Sequence, residues 1–134
     1  MHIPYIENDA TETIKLVIDP EINMTRMIEH GLIDNPTLNY HEDCVDMCNI
    51  STMLIGHELS GFCEEGQLKV HEGVFGMIGN HTWLEVEDVI IDATLQQFVP
   101  EAPKLSLIDA SYGEYHSVRE YTYEDWVQNS PNVT

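Results

Sequence analysis

The stretch 81–98 constrains the fold of this chain more than any other segment. Two apolar, β-branched runs, 81–86 and 89–95, are separated only by Glu87 and Asp88, which is the pattern of a β-hairpin with a two-residue turn. Such a turn fixes the register of the strands and assigns each side chain to one face of the sheet. The predicted core face carries Thr82, Leu84, Val86, Val89, Ile91 and Ala93.

The opposite face of this hairpin carries His81 and Asp92 as diagonal cross-strand neighbours, within reach of a side-chain hydrogen bond. A carboxylate held against one imidazole nitrogen fixes the tautomer and stabilises the imidazolium, so the other nitrogen can take a proton from a nucleophile. A three-residue turn would put the two side chains on opposite faces. The prediction of a His81–Asp92 pair therefore depends on the tight turn.

The rest of the hydropathy pattern predicts an α+β fold. Apolar residues at three- and four-residue spacing over 43–59 predict a largely buried helix that ends at Ser60-Gly61, and 21–30 predicts a shorter one. Further strands are predicted over 14–18, 68–75 and 105–109, with a strand or helix in 112–126. Because helices come first and strands later, we expect one small domain, 1–134, with a central helix packed on a mainly antiparallel sheet.

The charge of the chain is strongly one-sided, with 24 acidic and 5 basic residues and a formal net charge of −19. Such a charge repels nucleic acid and anionic membranes and favours basic partners. No apolar run approaches the roughly 18 to 20 residues of a membrane span, and the N-terminus lacks the basic and apolar regions of a signal peptide. We therefore expect a cytoplasmic protein that binds neither nucleic acid nor membrane.

The three cysteines are an odd number in a chain with no export signal, so a disulfide framework is not expected. A catalytic cysteine is activated in the first turn of a buried helix, where free backbone N–H groups and the helix dipole stabilise a thiolate. Cys44 lies in the first turn of the predicted helix and is the predicted nucleophile. Cys48, one turn deeper on the same stripe, is the alternative, and Cys63 follows the helix. The Cys and His spacing is a weak match to a zinc site, so neither a metal nor a cofactor is expected.

Three motifs in this order carry a resemblance to a known family. They are C-V-D-M-C at 44–48, H-T-W-L-E-V at 81–86 and I-D-A-T at 91–94. Over 43–98 the chain resembles the transglutaminase-like, papain-related cysteine peptidase superfamily. The resemblance implies a papain-like core and a catalytic triad of Cys44, His81 and Asp92. It also implies an oxyanion donor just upstream of the nucleophile, for which Asn39, Tyr40 and His41 are the local candidates.

Together these features predict a cysteine-dependent acyl-transfer enzyme. Cys44 would attack an amide carbonyl, His81 would accept and return the proton, and Asp92 would orient His81. The acyl-enzyme would be resolved by water, as in a peptidase or deamidase, or by an amine, as in a transglutaminase. The acidic charge favours a basic peptide or amide substrate. The competing hypothesis is a non-catalytic acidic protein that mimics nucleic acid and blocks a basic partner.

Overall fold

The protein is described by a computed structural model that covers residues 2–129. The α-helices are α1 Asp9–Val17, α2 Pro20–Glu29, α3 Tyr40–Asp43, α4 Cys48–Ser60 and α5 Tyr123–Asn129. The strands are β1 Lys69–Phe75, β2 Gly79–Val86, β3 Val89–Asp92, β4 Ser106–Asp109 and β5 Tyr115–Thr122. A short 3₁₀ helix, Leu95–Gln97, follows β3.

The five strands form one open antiparallel sheet in the order β4-β3-β2-β1-β5. The α+β class is therefore confirmed, as is the prediction that 105–109 adds an edge strand. The segment 112–126 supplies both a strand, β5, and most of a helix, α5. The ends of the predicted domain 1–134 lie outside the described residues.

The β2–β3 hairpin has the predicted register, with Leu84 opposite Ile91 and Val86 opposite Val89. Glu87 and Asp88 form the whole turn, and both have positive φ, at 49° and 62°. Left-handed conformations at both central positions match the right-handed twist of the flanking strands. The turn therefore places the predicted apolar face on one side of the sheet.

The sheet has an apolar core on each face. On one side α4 packs against β2, and α1 and α5 complete a cluster that includes Ile14, Leu59 and Trp126. On the other side Trp83, Ile90 and neighbouring residues are covered by the N-terminal segment and by the chain that follows β3. Burial of both faces explains why β3, Val89–Asp92, is almost wholly apolar and buried at every position.

The buried helix begins four to five residues later than the sequence predicts, and this displacement matters for the site. The chain makes the short helix α3, then a turn in which Asp46 has a φ of 63°, and only then α4. The carboxylate of Asp43 ties the end of α3 to the loop before it, because it accepts hydrogen bonds from the backbone N–H groups of Thr37 and Leu38, at 2.7 and 3.0 Å. The prediction of one continuous helix over 43–59 is therefore wrong at its start.

Residues 14–17 belong to helix α1 and Ile18 is its C-cap, so the prediction of a strand over 14–18 is wrong. Asn8 and Thr11 form a reciprocal capping box at the start of α1, which stabilises a helix over an extended chain. Ile14 and Ile18, four residues apart, both point into the core.

Among the described residues, no helix combines the length and the apolar character that a membrane span requires.

Candidate active site

His81 and Asp92 meet as the hairpin register requires. The Nε2 atom of His81 lies 2.6 Å from Oδ2 of Asp92, and both side chains are buried. Asp92 also accepts hydrogen bonds from the Tyr115 hydroxyl, at 2.8 Å, and from the backbone N–H of Thr94, at 2.9 Å. The Thr94 hydroxyl, at 3.3 Å, is a fourth donor to Asp92. A carboxylate with four donors is held in one orientation, so it can hold the imidazole in turn.

The electrostatics of the pair favour its charged form. Burial alone would lower the pKa of His81, but the negative charge and hydrogen bond of Asp92 outweigh burial and raise that pKa to about 9. Burial would raise the pKa of Asp92, yet the charge of His81 and the hydrogen bonds hold it below its usual value. His81 is therefore able to accept a proton and keep it near neutral pH.

Cys48 is the cysteine that lies against His81. It is the first residue of α4, and its side chain is close enough to His81 to contribute to the raised pKa of the imidazole. The N-cap residue is Met47, whose side chain makes no capping hydrogen bond, so no N-cap side chain binds the backbone N–H groups in the first turn of α4. Because Nε2 of His81 is bonded to Asp92, Nδ1 is the nitrogen left to take a proton from the Cys48 thiol.

Cys44, the predicted nucleophile, occupies a different environment. It ends α3, is completely buried, and directs its sulfur toward the carbonyl oxygens of His41, at 3.4 Å, and Thr94, at 3.9 Å. Burial, with the nearby charge of Asp92, raises the pKa of the Cys44 thiol to about 12. The expectation that Cys44 opens the buried helix is therefore wrong, because the helix starts at Cys48 and Cys44 packs in a small apolar cluster with Met24 and Met27.

Cys63 is half-buried after the end of α4, and burial raises the pKa of its thiol. It lines a separate depression beside Phe62 and Val86. The structure thus brings together Cys48, His81 and Asp92 and leaves the other two thiols elsewhere.

Cys48 and His81 open onto a cleft of about 640 Å³ between the start of α4 and strands β1, β2 and β5. Its other lining residues are Asp46, Asn49, Glu72, Gly73, Val74, Asn80, Thr82, Val118 and Arg119. A β-bulge at Val118 interrupts the β1–β5 register, since Gly73 pairs with Ser117 and Glu72 pairs with Arg119. An extra residue of this kind changes the face to which the following side chain points, and here both Val118 and Arg119 border the cleft.

The three predicted oxyanion donors are used elsewhere. Asn39 caps α3 through the backbone N–H of His41, and the Tyr40 hydroxyl donates to the carbonyl oxygens of Ala93, at 2.7 Å, and Lys104, at 3.1 Å. His41 contacts the carbonyl oxygen of Gln96 through Nδ1.

Gln97 is the residue that sequence reasoning missed. Its Nε2 atom lies 3.4 Å from Nδ1 of His81, and its Oε1 atom accepts from the backbone N–H of Asp46, also at 3.4 Å. The hydropathy pattern contains no signal for this contact, because Gln97 belongs to an irregular segment beyond the predicted strand.

Within residues 2–129, no group of three or more His, Cys, Asp or Glu side chains has an arrangement that could hold a metal ion. The fold and the cleft define an α+β domain with a Cys-His-Asp cluster at the start of a buried helix. No protein-family model, curated protein or solved structure matches this chain.

Proposed function

We propose that this protein is a cysteine-dependent acyl-transfer enzyme of the transglutaminase-like, papain-related type, with Cys48 as its nucleophile. The observation that carries the proposal is the meeting of Cys48, His81 and Asp92 at one cleft. The three side chains come from α4, β2 and β3, so the core of the domain positions all of them. A nucleophile beside a base that is oriented by a carboxylate is the arrangement that acyl transfer requires.

The reaction would proceed in two halves. Asp92 favours the charged form of His81, so Nδ1 holds the proton of the Cys48 thiol before the substrate reacts. The sulfur then adds to the carbonyl carbon while the C=O π electron pair moves to oxygen. The tetrahedral intermediate collapses, the C–N bond breaks, and Nδ1 returns the proton to the departing amine. Water or a second amine then attacks the thioester with His81 as its base, which regenerates the thiol.

The charge of the protein bears on the substrate. The described lining of the cleft contains two carboxylates, Asp46 and Glu72, and one guanidinium, Arg119, in a chain with a net charge of −19. A peptide or amide that carries a positive charge would be attracted to this surface. The three free cysteines fit a reducing, cytoplasmic setting.

Thiol labelling of variants that each lack one of the three cysteines tests the nucleophile. We expect iodoacetamide to alkylate Cys48 at least about tenfold faster than free cysteine at pH 7, and p-nitrophenyl acetate to acylate the same residue. The variant C48A should lose both reactions, whereas the matched controls C44A and C63A should keep them. If C48A retains the fast reaction with the ester, or if C44A loses it, the assignment to Cys48 is wrong.

The competing function, an acidic protein that blocks a basic partner, is favoured by the excess of 24 acidic over 5 basic residues. The same C48A variant separates the two functions. A blocker would inhibit its partner equally well with and without the thiol, and its binding would weaken as salt is added.

A further inference from the structure

We infer that the side-chain amide of Gln97 is an oxyanion donor of this site, together with the backbone N–H of Cys48. The inference rests on the proposed function and assigns a catalytic residue that lies downstream of the triad carboxylate. Neither the spacing of the sequence nor its family resemblance points to this residue.

A closed chain of hydrogen bonds fixes the position of Gln97. The side chain of Asp92 accepts from the backbone N–H of Thr94, and the carbonyl oxygen of Thr94 accepts from the backbone N–H of Gln97, at 3.1 Å. The amide of Gln97 then reaches Nδ1 of His81, whose Nε2 returns to Asp92. The carboxylate that orients the imidazole therefore also orients the backbone that carries Gln97.

The contacts of Gln97 identify which end of its amide faces the reaction. The backbone N–H of Asp46 can only donate, so the atom that it contacts must be the amide oxygen of Gln97. The atom beside Nδ1 of His81 is therefore the NH₂ group. Asp46 and His81 both line the cleft, and the Gln97 amide contacts both of them, so its NH₂ group lies beside the imidazole nitrogen near the start of α4.

The NH₂ group has donor capacity that His81 cannot use. It has two N–H bonds, and a neutral imidazole nitrogen accepts at most one of them. Once Nδ1 takes the thiol proton it becomes a donor itself, and both N–H bonds of the amide are then free to bind an acceptor. When the sulfur then attacks, the substrate carbonyl oxygen gains negative charge, which a preorganised N–H donor stabilises.

Two primary amides that line the cleft, those of Asn49 and Asn80, are the alternative donors. Oδ1 of Asn49 accepts from the Thr82 hydroxyl at 2.6 Å, which directs that amide toward β2. Asn80 is exposed. Gln97 is favoured over both because its amide contacts the imidazole nitrogen that receives the thiol proton.

The test compares two reactions of the same thiol. Acylation by p-nitrophenyl acetate passes through an oxyanion, whereas alkylation by iodoacetamide is a displacement at a saturated carbon and forms none. We expect Q97A to slow acylation of Cys48 by about 100-fold and to leave its alkylation rate unchanged. Q97E, which has nearly the same shape but lacks the N–H donors, should be slower still in acylation. Q128A, at an exposed glutamine of α5 that does not line the cleft, is the matched control and should react like the wild-type protein in both assays.

Several results would overturn the inference. Equal losses in acylation and alkylation would show that Gln97 only holds the loop or the imidazole in place. Unchanged acylation in Q97A, or a selective loss in N49A instead, would assign the donor elsewhere. Absence of any acylation of the wild-type protein would overturn the proposed function itself, and this result is seen before any Gln97 variant is made.

Discussion

The imidazole of His81 is buried, and its surroundings nevertheless favour the protonated form. Its pKa is raised to about 9 because Asp92 outweighs the effect of burial, compared with about 6.5 in an unfolded chain. A raised pKa stabilises the folded protein fully below pH ~6.5, and this stabilisation is lost as the pH rises through 9. The pKa of Asp92 is lowered, so its contribution is present above its unfolded value and is lost only as the pH falls through its folded value.

The variant D92N tests this linkage. Without the carboxylate, the pKa of His81 should fall and the protonated imidazole should lose its stabilisation. We expect the difference in free energy of unfolding between wild type and D92N to be larger at pH 6 than at pH 9.5, by up to about 3 kcal/mol. Urea denaturation at the two pH values measures it. In an H81Q background, the effect of D92N on the free energy of unfolding should be the same at both pH values. If the effect of D92N is already the same at both pH values when His81 is present, the coupling of His81 and Asp92 is contradicted.

At the scale of elements, the hairpin was predictable because local rules determine it. Two acidic residues between alternating strands specify the turn, and the turn specifies that His81 and Asp92 share a face. The start of α4 was not predictable, because the break before it depends on contacts distant in sequence. The hydroxyl of Tyr40 donates a hydrogen bond to the carbonyl oxygen of Ala93, 53 residues away. Such a contact cannot be predicted from helical periodicity.

The same limit explains the choice of nucleophile and the missing oxyanion donor. Cys44 and Cys48 both lie on one stripe of a continuous helix, so periodicity alone favours the one nearer the predicted start. The turn at Asp46 moves that start to Cys48, so Cys48 and not Cys44 lies in the first turn of the buried helix. The position of Gln97 beside His81 depends on the end of β3 at Asp92 and on the 3₁₀ helix that follows it. The residues of this segment do not predict that helix.

The contact between α5 and α4 predicts the effect of a substitution at Gly56, where side-chain packing and helix propensity have opposite effects on stability. Gly56 lies in the middle of α4, where alanine is normally better by up to about 1 kcal/mol. A Cβ atom there would lie 2.1 Å from the ring of Tyr123, whose hydroxyl donates to the carbonyl oxygen of Met53 at 2.7 Å. We therefore expect G56A to lower the free energy of unfolding by about 1–3 kcal/mol, measured by urea denaturation.

Gly61 supplies the matched control for that variant. It ends the same helix with an ordinary φ of −69°, and the nearest atom to an added Cβ is 3.7 Å away. G61A should therefore change the stability little in either direction. If G56A proves as stable as G61A, the contact between Tyr123 and α4 is looser than the structure indicates.

At the scale of the whole molecule, the excess of carboxylates opposes folding because compaction brings like charges together. The described Lys and Arg ion pairs include Arg26–Glu58 and Lys69–Glu120, and both lie at the surface. Exposed pairs contribute little to stability, so they do not offset repulsion in a chain with a net charge of −19. Any cationic substrate would meet the same long-range field before it reaches the cleft.

Salt should therefore stabilise this protein, and the effect should depend on its charge. Raising NaCl from about 0.01 M to about 1 M shortens the Debye length from about 30 Å to about 3 Å, which screens the repulsion in the folded state. We expect the Tm at pH 8, followed by circular dichroism, to rise over this range. At pH 5, closer to the isoelectric point of about 4.3, the net charge is smaller and the rise should be smaller. Equal rises at both pH values would indicate a general effect of salt on apolar burial and not relief of charge repulsion.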